Sequence, residues 1–460
     1  MSVFSLSNLK KTWYYLQKNG IRNAVWAVLE RIGQEQEVYT WQEPDEKTLS
    51  FQREHSASLC ISIVVPAYRT KKEHLEAMLN SVSRQSYPHW ELIVADAGGT
   101  AESVQAWAKK NGICLRKAAD ASNLAEWKDQ SIMLCTLSEN KGISANTNAG
   151  IELAAGDAVG LLDHDDLLTA NALWEMADCL EKEKKRGKQK LVLFSDEDKC
   201  DGAASRFYEP NFKPDFDGEL LLTNNYICHF TVIETAFLKE LKLRSGGFDG
   251  AQDYDLMLRA YAAGGQFVHV PKVLYHWRCH EASTASNPQS KRYAYEAGQR
   301  ALEDYCLRKG WKATVSGLKH LGFYREDYED SVFCQRPEIG IWAKPLPGGR
   351  DVFGIRHPKG FLVSGLYEND GSMRYAGLRK GYSGPMHRAA LQQSAPAADL
   401  RSMEVCSALK ERYAQTIAEL KEACQGLPTA AQETKILQKS MEFCKEATAA
   451  GYGILWDPQA

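Results

Sequence analysis

Between residues 59 and 168, apolar runs alternate with stretches of helical spacing, and this alternation restricts the fold more than any other feature of the chain. CISIVVP is a continuous Ile/Val run that reads as a buried strand stopped by Pro66, and a helix is expected over Lys72–Arg84. ELIVAD predicts a second strand ending at Asp96, followed by a helix from Ala101 to Asn111. SIMLCTL predicts a third strand, ISANTNAGIELAAG a helix, and DAVGLLD a fourth strand. Strands alternating with helices imply a right-handed parallel α/β sheet. Ligands of such sheets bind beyond the carboxyl ends of the strands, and Pro66, Tyr68, Asp96 and Asp163 all stand at such ends.

The fourth run closes in LLDHDDLL, where Asp163, Asp165 and Asp166 crowd around one histidine. Like charges this close repel unless a cation offsets them. A solvated loop with helix-capping aspartates is the plainer reading of such a cluster. No GxGxxG follows the first strand and no GxxxxGK[ST] occurs anywhere, which disfavours a Rossmann dehydrogenase and a P-loop NTPase. A diphosphate would then rest on a metal, and a DxD pair offers hard oxygen ligands for Mg²⁺ or Mn²⁺. Further on, GGFDGAQDYDLMLR predicts a glycine turn and a helix with Asp253 and Asp255 at its start, where the dipole favours carboxylates. QFVHVPKVLYHWR predicts two strands separated by Pro271 and ends with His276, a potential imidazole ligand.

The chain of 460 residues is long enough for two or three domains, and its net charge of −3 argues against a broad nucleic-acid footprint. No apolar run approaches the roughly 18 residues of a membrane-spanning helix, and MSVFSLSNLKK has no signal-peptide core. The 12 cysteines are scattered, several in apolar strings such as Cys60 and Cys135, and read as buried free thiols of a reducing cytoplasm. Trp13 to Ile32 carries apolar residues at helical spacing with interleaved Lys and Arg, a helix packed on the body or lying on a membrane surface. Residues 42–57 read as a linker.

In order and spacing, CISIVVPAYRT, ELIVADAGGT, ENKGISANTNAG, LLDHDD, GGFDGAQDYDL and LYHWR resemble the family-2 glycosyltransferases of the GT-A fold. These enzymes transfer a sugar from a nucleotide diphosphate donor with inversion. FSDEDK, the FKPDFD–NNY segment and YHWR are most similar to members that build O-antigen, rhamnan and related bacterial surface polysaccharides. The resemblance covers roughly 59–325. It implies that Pro66, Ala67 and Tyr68 line a nucleoside pocket and that Asp96 accepts the imide N–H of uracil or thymine. Asn140, Gly142 and Asn148 would shape the loop and helix under the donor. Asp165 would be the direct metal ligand, Asp163 would meet the donor or share the metal, His276 would be the late ligand, and Asp253 the catalytic base. The family's usual Glu-Asp pair is Gln252-Asp253 here, and its usual second Asp after the second strand is Ala97. The implied partners are a UDP- or dTDP-sugar donor and a polysaccharide or lipid-linked glycan acceptor, with Mn²⁺ or Mg²⁺ as cofactor. The protein is expected in the cytoplasm, with peripheral contact at the inner face of the cytoplasmic membrane.

The expected domains are an N-terminal helical extension and linker over 1–58, a GT-A domain over 59–330, and a further segment over 331–460. AAGGQFVHVP (262–271) has an echo in AAGYGILWDP (449–458), which sets Ser440 opposite Asp253. Residues 331–460 therefore read as a degenerate, non-catalytic GT-A-like half-module. A glycan-binding pseudo-enzyme and a nucleotidyltransferase are the competing functional classes. Retention of Asp163, Asp165, Asp253 and His276 disfavours the first, and the lack of a glycine-rich loop after the first strand disfavours the second.

Overall fold

The computed structural model describes residues 39–118, 129–244, 246–279, 292–317, 322–343, 403–423, 439, 442–443, 446–447 and 449–456. The helix expected near Trp13–Ile32 lies outside these residues. Five parallel strands form the first half of the sheet: β1 (Ile61–Ala67), β2 (Trp90–Asp96), β3 (Cys114–Lys117), β4 (Ser131–Thr136) and β5 (Ala158–Leu161). They are joined by α2 (Lys72–Ser83), α3 (Ala101–Asn111) and α4 (Ile143–Leu153), after a short α1 (Glu46–Glu54). The second half adds β6 (Leu167–Leu168), α5 (Ala172–Lys185), β7 (Leu191–Cys200), β8 (Phe207–Asn211), α6 (Gly218–Thr223), β9 (Thr231–Glu234), α7 (Thr235–Leu241), α8 (Gln252–Ala262) and β10 (Gln266–Arg278). The sheet order is β3-β4-β2-β1-β5-β9-β7-β10-β6, with β8 on β7.

The expected all-parallel sheet is therefore mixed. Strand β9 enters antiparallel between β5 and β7, and β6 pairs antiparallel with β10, while β7 and β10 run parallel. A parallel half extended by a mixed half agrees with the GT-A expectation. β1, β2 and the first four residues of β7 (LVLF) read as near-continuous apolar strings because helices cover both faces. Two apolar layers result, one under α2, α3 and α5 and one under α4, α7 and α8.

Pro66 does not stop β1. Pairing with β5 ends at Val64–Leu161, so the missing N–H falls past the last rung on that side, and pairing with β2 continues to Ala67–Asp96. Pro271 likewise leaves one strand: β10 runs through it with register shifts between Val270 and Tyr275. The linker reading of 42–57 is also corrected. Asp45 accepts the Thr48 N–H at 2.7 Å to cap α1, and buried Gln52 donates to Glu175 and accepts from Ser86. Helix α4 lies so close to β1 that a Cβ at Gly150 would sit 2.6 Å from Val64.

Beyond β10 come α9 (Arg292–Lys309), the hairpin β11 (Ala313–Gly317) and β12 (Tyr324–Tyr328), and the short α10 (Val332–Gln335). Then β13 (Ile339–Ala343) pairs with β14 (Met403–Val405) antiparallel and with β15 (Gly453–Trp456) parallel, with α11 (Ser407–Arg412) and α12 (Ala414–Ala423) between them in sequence. The register repeats that of the larger sheet. Val192 pairs with Ile233 and Phe267, as Ile341 pairs with Val405 and Ile454, and the next two rungs also correspond. Both helix ends turn at a positive-φ glycine, Gly264 and Gly451. The Gly265 N–H donates to Ala260 O at 2.8 Å, and the Tyr452 N–H to Ala447 O at 3.1 Å. Ser440 lies outside the described residues.

Arg336 ties this second unit to α6. Its guanidinium donates to both oxygens of buried Glu219 and to Glu338, and stacks 4.7 Å from the Trp311 ring. Arg336→Met should cost about 3–5 kcal/mol in urea unfolding, since it strands a buried carboxylate. Nearby, the half-buried Glu326 has its carboxyl in the interior, where burial and then Glu219 push it from 4.5 up to about 8. The folded state thus holds a proton that the unfolded chain releases, so this group subtracts stability as pH rises from about 4.5 to about 8. Glu326→Gln should flatten that decline in melting temperature across the same window.

Candidate active site

The DHDD loop leaves β5 at Leu161 and is caught from the far side by β10. Arg278 donates its backbone N–H to Asp166 at 2.7 Å and its Nε–H to the Asp165 carbonyl, while the Tyr275 hydroxyl donates to Asp166 at 2.6 Å. Burial raises the Asp166 carboxyl well above its ordinary range, and Asp165 and Asp163 push it further; the two hydrogen bonds offset this only in part. The acids of the loop therefore repel one another.

Among the described residues, Asp163, Asp166 and His229 bring one ligand atom each within 4.8 Å of one another. Two carboxylate oxygens and an imidazole form a donor set suited to a divalent cation, and the carboxylate weight favours Mn²⁺ or Mg²⁺. The expected set was Asp163, Asp165 and His276, of which Asp163 belongs to this group. Successive strand residues face opposite ways, so Tyr275 reaches Asp166 while His276 turns to Asp198, with Nδ1 2.5 Å from its Oδ1. Trp41 and Phe207 pack on the His276 ring at 4.9 and 4.2 Å, and the Tyr39 hydroxyl donates to the other oxygen of Asp198. His229 instead stacks on Tyr275, with ring centroids 4.7 Å apart. It lies in NNYICHF, between α6 and β9, where no spacing marks it in the sequence.

Asp253 opens α8 and receives the Asn225 Nδ2–H at 2.8 Å. Burial raises its carboxyl, His229 lowers it, and Asp163 raises it again, so the group lies within electrostatic reach of both. The second acid of this helix is structural: Asp255 is buried and bound by Arg244 and Arg259.

Pro66, Ala67 and Tyr68 gather at the carboxyl end of β1. The Ala97 N–H donates to Ala67 O at 2.8 Å and the Arg69 N–H to Gly98 O at 3.0 Å. The exposed Tyr68 ring lies over Gly98, and Thr70 Oγ1 is 3.1 Å from His164 of the DHDD loop. Asp96 is 1% exposed and accepts backbone N–H groups from Gly98, Thr100 and Ala101. It holds the turn into α3. Asn140 accepts from the Gly142 N–H and from Asn146, and Gly142, at φ +92°, is followed by Ser144 bound to Asp249. Asn148 gives both amide ends to the Leu243 backbone, so its role is to pin α4 to the segment before α8.

Residues 62–241 match the model of Glycosyl transferase family 2. An uncharacterised protein of Sinorhizobium fredii is 36% identical over 255 residues, 55% of this chain and 26% of that protein. The O-antigen biosynthesis protein RfbC of Myxococcus xanthus is 33% identical over 256 residues, 56% and 19% of the two chains. The chain thus spans about a quarter or less of these relatives. The amylovoran biosynthesis glycosyltransferase AmsB of Erwinia amylovora is 28% identical over 47% of this chain and 70% of that one. Among solved structures, Staphylococcus aureus TarS 1–349 in complex with UDP-GlcNAc aligns at 20% identity with TM-score 0.40, over 54% of this chain and 67% of that one.

A saturating Mn²⁺ titration at 100 times its Kd should stabilise the wild type by about 2.7 kcal/mol. Asp163→Ala and His229→Ala should abolish that gain in a thermal-shift assay, whereas Asp165→Ala and His276→Ala should retain most of it.

Proposed function

We propose that this chain, whose residues 62–241 belong to glycosyl transferase family 2, transfers a sugar with inversion from a nucleotide diphosphate donor to a bacterial surface polysaccharide. The observation that carries the reading is one carboxylate set apart from a cation-ready group yet within its field: Asp253 on one side, Asp163, Asp166 and His229 on the other. The names of RfbC and AmsB support a polysaccharide acceptor. A lipid-linked acceptor would place the work at the inner face of the cytoplasmic membrane; no described helix is long and apolar enough to cross it.

In this reading Tyr68 and the neighbouring Pro66 and Ala67 hold the nucleoside at the end of β1. Asp163 faces the diphosphate and donor sugar. A divalent cation held by Asp163, Asp166 and His229 would offset the charge that the leaving diphosphate gains. A sugar hydroxyl is a poor nucleophile at neutral pH, so Asp253 takes its proton as the new bond forms. Asn225 fixes the rotation of that carboxylate. One base on the acceptor side with a cation on the donor side suffices for a single displacement with inversion, and no second nucleophile is needed. Residues 331–460 would form a half-module without chemistry of its own.

Incubation with UDP- and dTDP-sugars in Mn²⁺ or Mg²⁺ tests the reading: transfer, or slow donor hydrolysis without acceptor, supports it, and pyrophosphate release or binding alone refutes it. Asp253→Asn should leave donor and Mn²⁺ affinity nearly unchanged while transfer falls about 10²–10⁴-fold. Because the base must be ionised and burial raises its carboxyl, the wild-type rate should climb with pH through a range above that of ordinary carboxylates.

A further inference from the structure

The loop from Asn225 to His229 touches both halves of the site: Asn225 holds Asp253, and His229 joins Asp163 and Asp166. What holds the loop is a lysine. Lys213 has a fully buried side chain, and its three ammonium hydrogens meet three acceptors: Glu197 Oε2 at 3.2 Å and the carbonyls of Ile227 and His229. Glu197 closes the ring, since its Oε2 also accepts the His229 N–H at 3.2 Å. It is itself anchored by Asn211 at 3.2 Å. Behind the lysine, its own N–H donates to Asp196, which also binds His269 at 2.8 Å.

A buried ion pair is a weak source of stability, and apolar residues of similar volume often serve as well or better. Here the ammonium spends two of its three hydrogens on main-chain carbonyls of one loop. The geometry points to Lys213, with Glu197, as the positioning residue that sets His229 against Asp163 and Asp166. The inference rests on reading those three side chains as the cation group. Groups that orient a metal ligand typically contribute about 10–100-fold to metal affinity. The sequence offers them only as the lysine of FKPDFD and the glutamate of FSDEDK, which are far apart along the chain.

The test is Mn²⁺ affinity, read from the electron paramagnetic resonance signal of free Mn²⁺, with folding followed by urea unfolding. Lys213→Met leaves Glu197 buried without its partner and can fail to fold, so the deciding variant is Lys213→Met with Glu197→Met, which removes both charges. The double variant should unfold cooperatively and bind Mn²⁺ about 10–100-fold more weakly than the wild type. A Kd within twofold of wild type overturns the inference. So does an equal loss of Mn²⁺ affinity in Arg116→Met, because that variant strands buried Glu91 on β2, three places from β9 in the sheet order, and its effect would then be general. If the wild type itself binds no Mn²⁺, the cation reading fails, and this is recognisable because no variant can then differ from it.

Discussion

Asp163, Asp165 and Asp166 fall within four residues at the end of a buried strand, and the last of them lies in the interior. Desolvation and mutual repulsion both oppose ionisation there, as the raised Asp166 carboxyl shows. Two hydrogen bonds from β10 and one imidazole from the loop before β9 are arranged around that cluster of acids. The second half of the sheet supplies what the first half lacks. This is why the chain needs β10 to run 13 residues, past its bulge and up to the DHDD loop.

That strand separates two tasks by parity. Tyr275 faces the acids and carries His229 on its ring, while His276 faces Asp198 among Trp41, Phe207 and Tyr39. Neither histidine is aimed by its own neighbours in sequence. His276 is fixed by an aspartate on β7, and His229 by a glutamate on β7 and a lysine from the segment after β8. Buried polar networks that are fully satisfied make a geometry unique, whereas the same groups left unpaired would be costly. The FSDEDK strand is accordingly the support for both.

The parallel half was legible because fully covered strands are apolar throughout and their helices have ordinary caps and spacing; the ends of β2, α3 and β4 fall within a residue or two of where the pattern sets them. Short strands carry no such period, so β3 and β9 were not seen, and without β9 the sheet reads as parallel. Proline misled twice, because its missing N–H matters only where a rung exists on that side. In the site, acids on strand ends were found, but Asp163 was the one member of the cation-ready group named beforehand. Asp166 was visible as a repelled charge without being assigned, and His229 is a single histidine whose partners come from distant segments. Asp96 and Asn148 stand at the expected addresses and bind the backbone around them, which no sequence pattern shows.

The echo near the C-terminus is instructive because it needs no site chemistry. A helix ending in Ala-Ala-Gly, a left-handed glycine and a parallel strand re-entering beside its partner are set by local hydrogen bonds and steric limits, and these recur around Gly264 and Gly451. Three rungs of strand pairing recur with them. Such features need only backbone groups and small residues, so a sequence can drift widely and keep them. A site needs charged side chains from separate elements to meet within a few ångströms, and each is lost by a single substitution. Around the DHDD loop those side chains are bound into a buried network through Lys213, Glu197 and Arg278, so the supporting polar groups cannot change one at a time without stranding a charge. The fold therefore preserves the frame by backbone geometry and the site by the cost of breaking its polar partners.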